Sequence, residues 1–169
     1  MASTNTCWGI ELGAGSIKAL KLERDGDDLK VRDFAVIPHK RPLSTPDLDL
    51  LDATRVAMGE LVSSRDLSGA QVAISVPGHS SFARFAKLPP VEPKKIPDIV
   101  KFEAVQQIPF PIDQVEWDYQ VFTTKDNPDV EVGIFAITRE KVMERVSMWQ
   151  DVGITPTYVT LGPLAAYNA

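Results

Sequence analysis

Apolar residues in the first half of the chain fall into short runs broken by glycine and proline, the pattern of strands joined by tight turns. Residues 7–12 (Cys7-Trp8-Gly9-Ile10-Glu11-Leu12) read as a buried strand, and Gly13-Ala14-Gly15 as the turn that follows it. Residues 16–22, carrying Ile17, Leu20 and Leu22, form a second strand. Asp25-Gly26 is a hairpin signal leading into a third strand over 29–37. After a loop from Pro38 to Pro42 the period changes. Leu51, Met58, Leu61 and Val62 mark one face of a helix that ends near Ser64. Thr45 is its expected N-cap and Pro46 its first helical residue, with Asp47 and Asp49 favouring the positive end of the helix dipole. A fourth strand covers 72–76 and is stopped by Pro77-Gly78.

Eight of the 13 prolines lie between Pro89 and Pro156, so the second half is more sharply punctuated. A strand is expected over 82–88. Ile96, Val100, Ala104 and Ile108 recur every four residues and predict a helix over 95–108, with Pro97 confined to its first turn and Pro109 and Pro111 ending it. Residues 116–123 alternate, with Trp117, Tyr119 and Val121 on one face and Glu116, Asp118 and Gln120 on the other, as a half-buried antiparallel strand does. Asn127-Pro128-Asp129 is the expected turn into a returning strand over 131–137. A helix over 139–151 presents Val142, Val146 and Trp149 and closes at Gly153. A last strand over 157–161 leads into a new helix opened by Gly162-Pro163. Two modules follow: residues 7–77 with 154–169, and an insert over 78–153 of order β-α-β-β-α.

Composition adds mainly exclusions. The chain has 169 residues, 44% hydrophobic and 24% charged, which is ordinary for a globular α/β protein. Its 18 basic and 23 acidic residues leave a net charge of −5, which argues against wrapping nucleic acid. The single cysteine, Cys7, excludes an internal disulfide and is expected to be an inert core thiol. No apolar run reaches the roughly 18 residues needed to span a bilayer. The first six residues carry neither a basic nor an apolar leader pattern, so no secretory signal is expected there. His39 and His79 stand in separate loops without a Cys/His cluster, and no metal site or catalytic residue is assigned.

Candidate chemistry concentrates in Gly9-Ile10-Glu11-Leu12-Gly13-Ala14-Gly15-Ser16-Ile17-Lys18. Glycines let the backbone approach a phosphate, and consecutive amides can cradle an anion. A dinucleotide fingerprint would need a helix after the glycines, and here a strand follows. The Gly-Lys-Ser/Thr of a Walker A loop is absent. On spacing alone, a glycine hairpin turn with no ligand remains open beside a phosphate loop.

This opening segment resembles the first phosphate motif of the actin-like ATPase superfamily. Further along, Ser75-Val76-Pro77-Gly78-His79-Ser80-Ser81, Lys87-Leu88-Pro89-Pro90, Phe102-Glu103-Ala104-Val105-Gln106-Gln107-Ile108-Pro109-Phe110-Pro111, Glu116-Trp117-Asp118-Tyr119-Gln120 and Gly153-Ile154-Thr155-Pro156 resemble the type IV pilus assembly protein PilM family. The resemblance covers about residues 7–169. It implies an α/β, actin-like (ribonuclease H-like) fold. Residues 7–77 and 154–169 would form part of subdomain 1A, and 78–153 an inserted β-α-β-β-α 1C (SHS2) subdomain. It implies ATP with Mg²⁺ in the full-length protein. Gly13, Ala14, Gly15 and Ser16 would surround the β- and γ-phosphates, Lys18 would lie near them, and Glu11 would take the place of the metal-side acid.

The resemblance also implies a function. The protein would be a cytoplasmic adaptor at the inner face of the cytoplasmic membrane, within the pilus assembly platform. It would bind the N-terminal peptide of a PilN-like membrane partner and reach the membrane only through partners. The pilus assembly ATPase is a further candidate partner, and nucleic acid is not. The alternatives are a cytoplasmic domain like type II secretion GspL, an FtsA-like division protein, or a superfamily ATPase or kinase. The last helix runs to Ala169 without a stop signal, so the chain is expected to be the N-terminal portion of a longer protein. At most the full-length protein would be a weak ATPase. This chain alone is expected to bind ATP weakly or not at all and not to be an enzyme.

Overall fold

The computed structural model describes residues 3–122 and 130–169, so the expected turn at Asn127-Pro128-Asp129 lies outside the described residues. The chain divides into two compact units: residues 1–78 with 143–169, and His79–Val142.

The first unit is built on a five-stranded sheet. Three consecutive antiparallel strands, β1 (Ser3–Leu12), β2 (Ser16–Asp25) and β3 (Asp28–Pro38), form a meander. Strands β4 (Ala70–Val76) and β8 (Tyr158–Leu161) extend the other side, β4 parallel to β1 and β8 parallel to β4, giving the order β3-β2-β1-β4-β8. Side chains alternate across the sheet, so Trp8, Ile10, Leu12, Ile17 and Ala19 are buried in one cluster. Helix α1 (Leu50–Ser64) contributes Ala57, Met58 and Leu61 to that cluster, and the loop and helix before β8 contribute Trp149 and Ile154.

Helix α1 starts later than its sequence suggests. Asp49, not Thr45, is the N-cap: its Oδ1 accepts the Asp52 amide at 2.9 Å. Thr45 instead donates its hydroxyl to the Pro42 carbonyl at 2.6 Å, and Asp47 stands at φ 59, which no right-handed helix can pass through. Pro46 is therefore part of a turn. The buried face is Thr54, Ala57, Met58 and Leu61, while Leu51, in the first turn, is 47% exposed.

Cys7 also departs from expectation. Trp8 takes the core side of β1, so Cys7 faces the other side of the sheet and is only half-buried. Partial desolvation still raises its thiol pKa above the usual value, against a smaller lowering by a backbone hydrogen bond from Ala73.

The second unit pairs β5 (Phe82–Leu88) and β6 (Val115–Phe122) with a central antiparallel β7 (Val130–Thr138), in the order β5-β7-β6. Helix α2 (Ile96–Gln107) carries the expected four-residue repeat. Ile96, Val100 and Ala104, with Ile108 as the C-cap, pack into one core with Leu88, Val115, Val132, Ile134 and Ala136. The chain leaves this unit within α3 (Arg139–Gln150), whose later turns carry Val146 and Trp149 into the first unit's core. Gly153 closes α3 at φ 83, its amide donating to Gln150 and the Ile154 amide to Trp149, at 2.9 and 3.0 Å. Helix α4 (Gly162–Tyr167) follows β8 directly, with Pro163 in its first turn.

On the side of the second sheet away from α2, Phe85 packs against Phe122 and Phe135, with ring centroids 5.9 Å apart in both pairs. The rings close over Gly133: a Cβ there would lie 2.8 Å from Phe135 Cζ and 3.0 Å from Phe122 Cε2. Gly133→Ala should therefore force both rings outward and cost about 1–3 kcal/mol. Urea unfolding followed by tyrosine and tryptophan fluorescence measures that loss, and an unchanged midpoint would show that the rings do not pack as described.

Candidate functional site

Three parallel strands, β1, β4 and β8, end at the same edge of the first unit's sheet. Open α/β sheets place ligands at the carboxyl ends of such strands. Three segments meet that edge: the turn Gly13-Ala14-Gly15 after β1, Pro77-Gly78 after β4, and Gly162-Pro163 after β8. The last two lie close together, a Cβ on Gly78 falling 2.8 Å from Pro163 Cγ.

The glycine turn is held by its carbonyls. The Gly13 amide closes the hairpin by donating to the Ser16 carbonyl at 3.0 Å. The three turn carbonyls accept from one following segment: Gly13 from His39 Nε2–H at 3.0 Å, Ala14 from the Leu43 amide at 2.7 Å, and Gly15 from the His39 amide at 3.0 Å. Among the described residues, the amides of Ala14 and Gly15 make no bond to the protein. Both residues are exposed.

Gly15 is not required by the fold. Its φ is not positive, and a Cβ would meet nothing within 4 Å. Gly13 is tighter, its Cβ position lying 3.1 Å from the Ser16 carbonyl and 3.7 Å from Glu11 Oε1. Glu11 and Lys18 are direct cross-strand partners, and Lys18 Nζ sits 3.0 Å from Glu11 Oε2. Both side chains are more than half exposed, so the pair adds about 0–1 kcal/mol at most and leaves the ammonium with further donors to offer.

All six residues singled out in the sequence (Glu11, Gly13, Ala14, Gly15, Ser16 and Lys18) thus lie together on the β1–β2 hairpin. The set fits a phosphate chain: uncommitted amides at Ala14 and Gly15, open space where Gly15 lacks a Cβ, the Ser16 hydroxyl, and a nearby ammonium. A carboxylate stands beside it. Among the described residues, no cluster of three or more His, Cys, Asp or Glu side chains is gathered to hold a metal.

Comparison with known proteins places this hairpin in context. Residues 9–169 match the family described as type IV pilus assembly protein PilM. The chain belongs to the PilM family.

Among solved structures, this PilM-family chain is similar to one in a PilM–PilN type IV pilus biogenesis complex, with 22% identity and a TM-score of 0.65 over 96% of this chain and 49% of that one. It is also similar to the cytoplasmic domain of EpsL, an inner membrane component of the type II secretion system of Vibrio cholerae. There the identity is 11% and the TM-score 0.51, over 92% of this chain and 57% of that one. These likenesses show a shared mixed α/β fold, consistent with the partial actin-like fold expected from the sequence. The chain spans about half the length of the solved chains it matches. Among the described residues no helix is long and apolar enough to cross a membrane.

His39 is the residue whose place at the candidate site sequence reasoning missed, because only the β2–β3 pairing brings it back to the turn. It is buried, and its Nδ1 has no partner among the described residues. His39→Ala should release the Gly13 carbonyl and lower stability by about 1–3 kcal/mol, while His39→Gln, which can still donate there, should lose less. Thermal unfolding of the two variants against the parent checks the order, and equal losses would contradict the clamp.

Proposed function

We propose that this protein is a PilM-like adaptor of the type IV pilus assembly platform. On this reading it acts at the inner face of the cytoplasmic membrane and binds the N-terminal peptide of a PilN-like membrane partner. The observation that carries the reading is the family match over residues 9–169 together with likeness to a chain of a PilM–PilN complex. On this reading residues 7–77 with 154–169 are part of subdomain 1A, and residues 78–153 are its 1C (SHS2) insert. Apolar anchors of the peptide supply affinity in such capture, and backbone groups set its register.

Nucleotide enters the reading through the β1–β2 hairpin. The amides of Ala14 and Gly15, the Ser16 hydroxyl and Lys18 would hold the phosphates of ATP, with Glu11 on the side of Mg²⁺. Bound nucleotide supplies charge that ties the hairpin to whatever else contacts the phosphates. Good small-molecule sites bury most of their ligand, and this exposed turn covers only one side of a phosphate chain. The 169 residues alone are therefore expected to bind ATP weakly or not at all.

Titrating the cytoplasmic N-terminal peptide of the PilN-like protein into the chain, read by tryptophan fluorescence and calorimetry, should give saturable binding at a Kd of about 1 µM to 10 µM. A folded chain and a full-length protein that both fail to bind would overturn the assignment. A second test separates nucleotide from fold. In the full-length protein Gly15→Ala should leave the melting temperature unchanged or slightly raised, yet weaken Mg-ATP binding. Unaltered ATP affinity would remove the hairpin from the nucleotide site.

A further inference from the structure

Each of the two sheets has two edge strands, and a strand edge carries a row of backbone donors and acceptors that invites another strand. Three of the four edges are blunted. β3 carries an extra residue, Arg32, in its pairing with β2, and it ends in Pro38. At Phe34 its backbone is taken up by side chains: the amide donates to Asp33 Oδ1 at 2.7 Å and the carbonyl accepts from Arg65 Nη2 at 3.2 Å. On β6 the Tyr119 amide donates to Asp118 Oδ1 at 2.8 Å. β8 is only 4 residues long.

Strand β5 has none of these devices. It pairs with β7 from Phe82 to Leu88 without a shift of register, and it contains no proline. Among the described residues its backbone makes no bond beyond that ladder. Ala83, Arg84, Phe85 and Lys87 are all exposed. Phe85 already packs against Phe122 and Phe135, so an apolar side chain set beside it would extend an existing cluster.

The charges of β5 are all positive. Arg84 donates through Nε to Gln107 Oε1 at 2.9 Å, which leaves its Nη donors for another acceptor. Lys87 makes no ion pair among the described residues, even with Glu131, its cross-strand neighbour on β7. The acids nearest these cations stand on other elements: Glu131 on β7, and Glu103 on α2, where it accepts from Gln107 Nε2 at 2.5 Å. A strand added to β5 would lie about 4.8 Å from it and roughly twice that from β7, so it meets Arg84 and Lys87 first. A second copy of the chain is a poor occupant. Antiparallel addition about a two-fold axis would bring both copies of Arg84 and Lys87 to one seam, with no acid of β5 to answer them.

We propose that β5 is a docking edge for an extended acidic peptide segment, added antiparallel as a fourth strand of the second sheet. Backbone bonds to the open edge supply the attachment, and side chains set the register. Two carboxylates three residues apart stand opposite Lys87 and Arg84, and the aliphatic residue opposite Phe85 seats on the aromatic cluster. The edge lies in the second unit and does not depend on the nucleotide or partner reading above.

The test uses the 169-residue chain labelled with ¹⁵N and three synthetic peptides. The first is acetyl-Val-Glu-Val-Leu-Glu-Val-amide, and the second has lysine in place of both glutamates. The third, acetyl-Val-Glu-Pro-Pro-Glu-Val-amide, keeps the charges, but its adjacent prolines remove a backbone donor whichever way the peptide lies. The first peptide should shift amides of residues 82–88 saturably and slow the exchange of those that face outward. The lysine peptide should bind about fivefold more weakly or worse, and the proline peptide should leave residues 82–88 unshifted. The double variant Arg84→Glu, Lys87→Glu, two exposed changes, should reverse the preference between the glutamate and lysine peptides. No saturable shift, shifts centred elsewhere, equal affinity for the two charged peptides, undiminished binding of the proline peptide, or a folded double variant that still prefers glutamate would each overturn the proposal.

Discussion

Strand β1 is the constraint on which the first unit depends. It is hydrogen-bonded on both sides, antiparallel to β2 and parallel to β4, and it places Trp8, Ile10 and Leu12 in the core. Because side chains alternate with period two, a slip of one residue would turn all three outward and bring Cys7, Gly9 and Glu11 in. The hydrophobic effect therefore fixes the register. A fixed register in turn fixes where β1 ends, and so where the Gly13-Ala14-Gly15 turn stands relative to the ends of β4 and β8. The same alternation puts Glu11 and Lys18 opposite one another on the exposed face, where their charges stay in water.

The turn is then secured from one side only. His39 and Leu43 engage its three carbonyls, and the hairpin consumes the Gly13 amide. What remains unspent is a pair of adjacent donors at a point where Gly15 leaves room for a ligand. A turn fixed by its carbonyls needs no ligand to hold its shape, so binding an anion there carries little ordering cost. On the proposed reading, that economy of motion lets a short, exposed loop serve as a phosphate contact, and its exposure makes the hold a loose one.

Much of this was legible in the sequence, for identifiable reasons. Strands announced by alternation and tight turns, and helix α2 with its Ile96-Val100-Ala104-Ile108 repeat, follow from local periodicity, so they appear where the pattern puts them. The six hairpin residues were found together because they are nearly contiguous. Local signals misled at α1, where Thr45-Pro46 looks like a helix start but Asp47 adopts a left-handed conformation and Asp49 takes the cap. Cys7 looked like a core residue because it opens a run read as a buried strand, whereas the pleat assigns the core side to Trp8. His39 could not be found by spacing at all: its role exists only once β2 and β3 pair.

The central claim is that the β1–β2 turn is pinned through its carbonyls and leaves the Ala14 and Gly15 amides free. Residue-resolved hydrogen exchange of the native chain tests it most directly. The account predicts slow exchange at Gly13, His39 and Leu43, whose amides are bonded, and near-unfolded rates at Ala14 and Gly15. Protected Ala14 and Gly15 amides, or a Leu43 amide that exchanges freely, would contradict it.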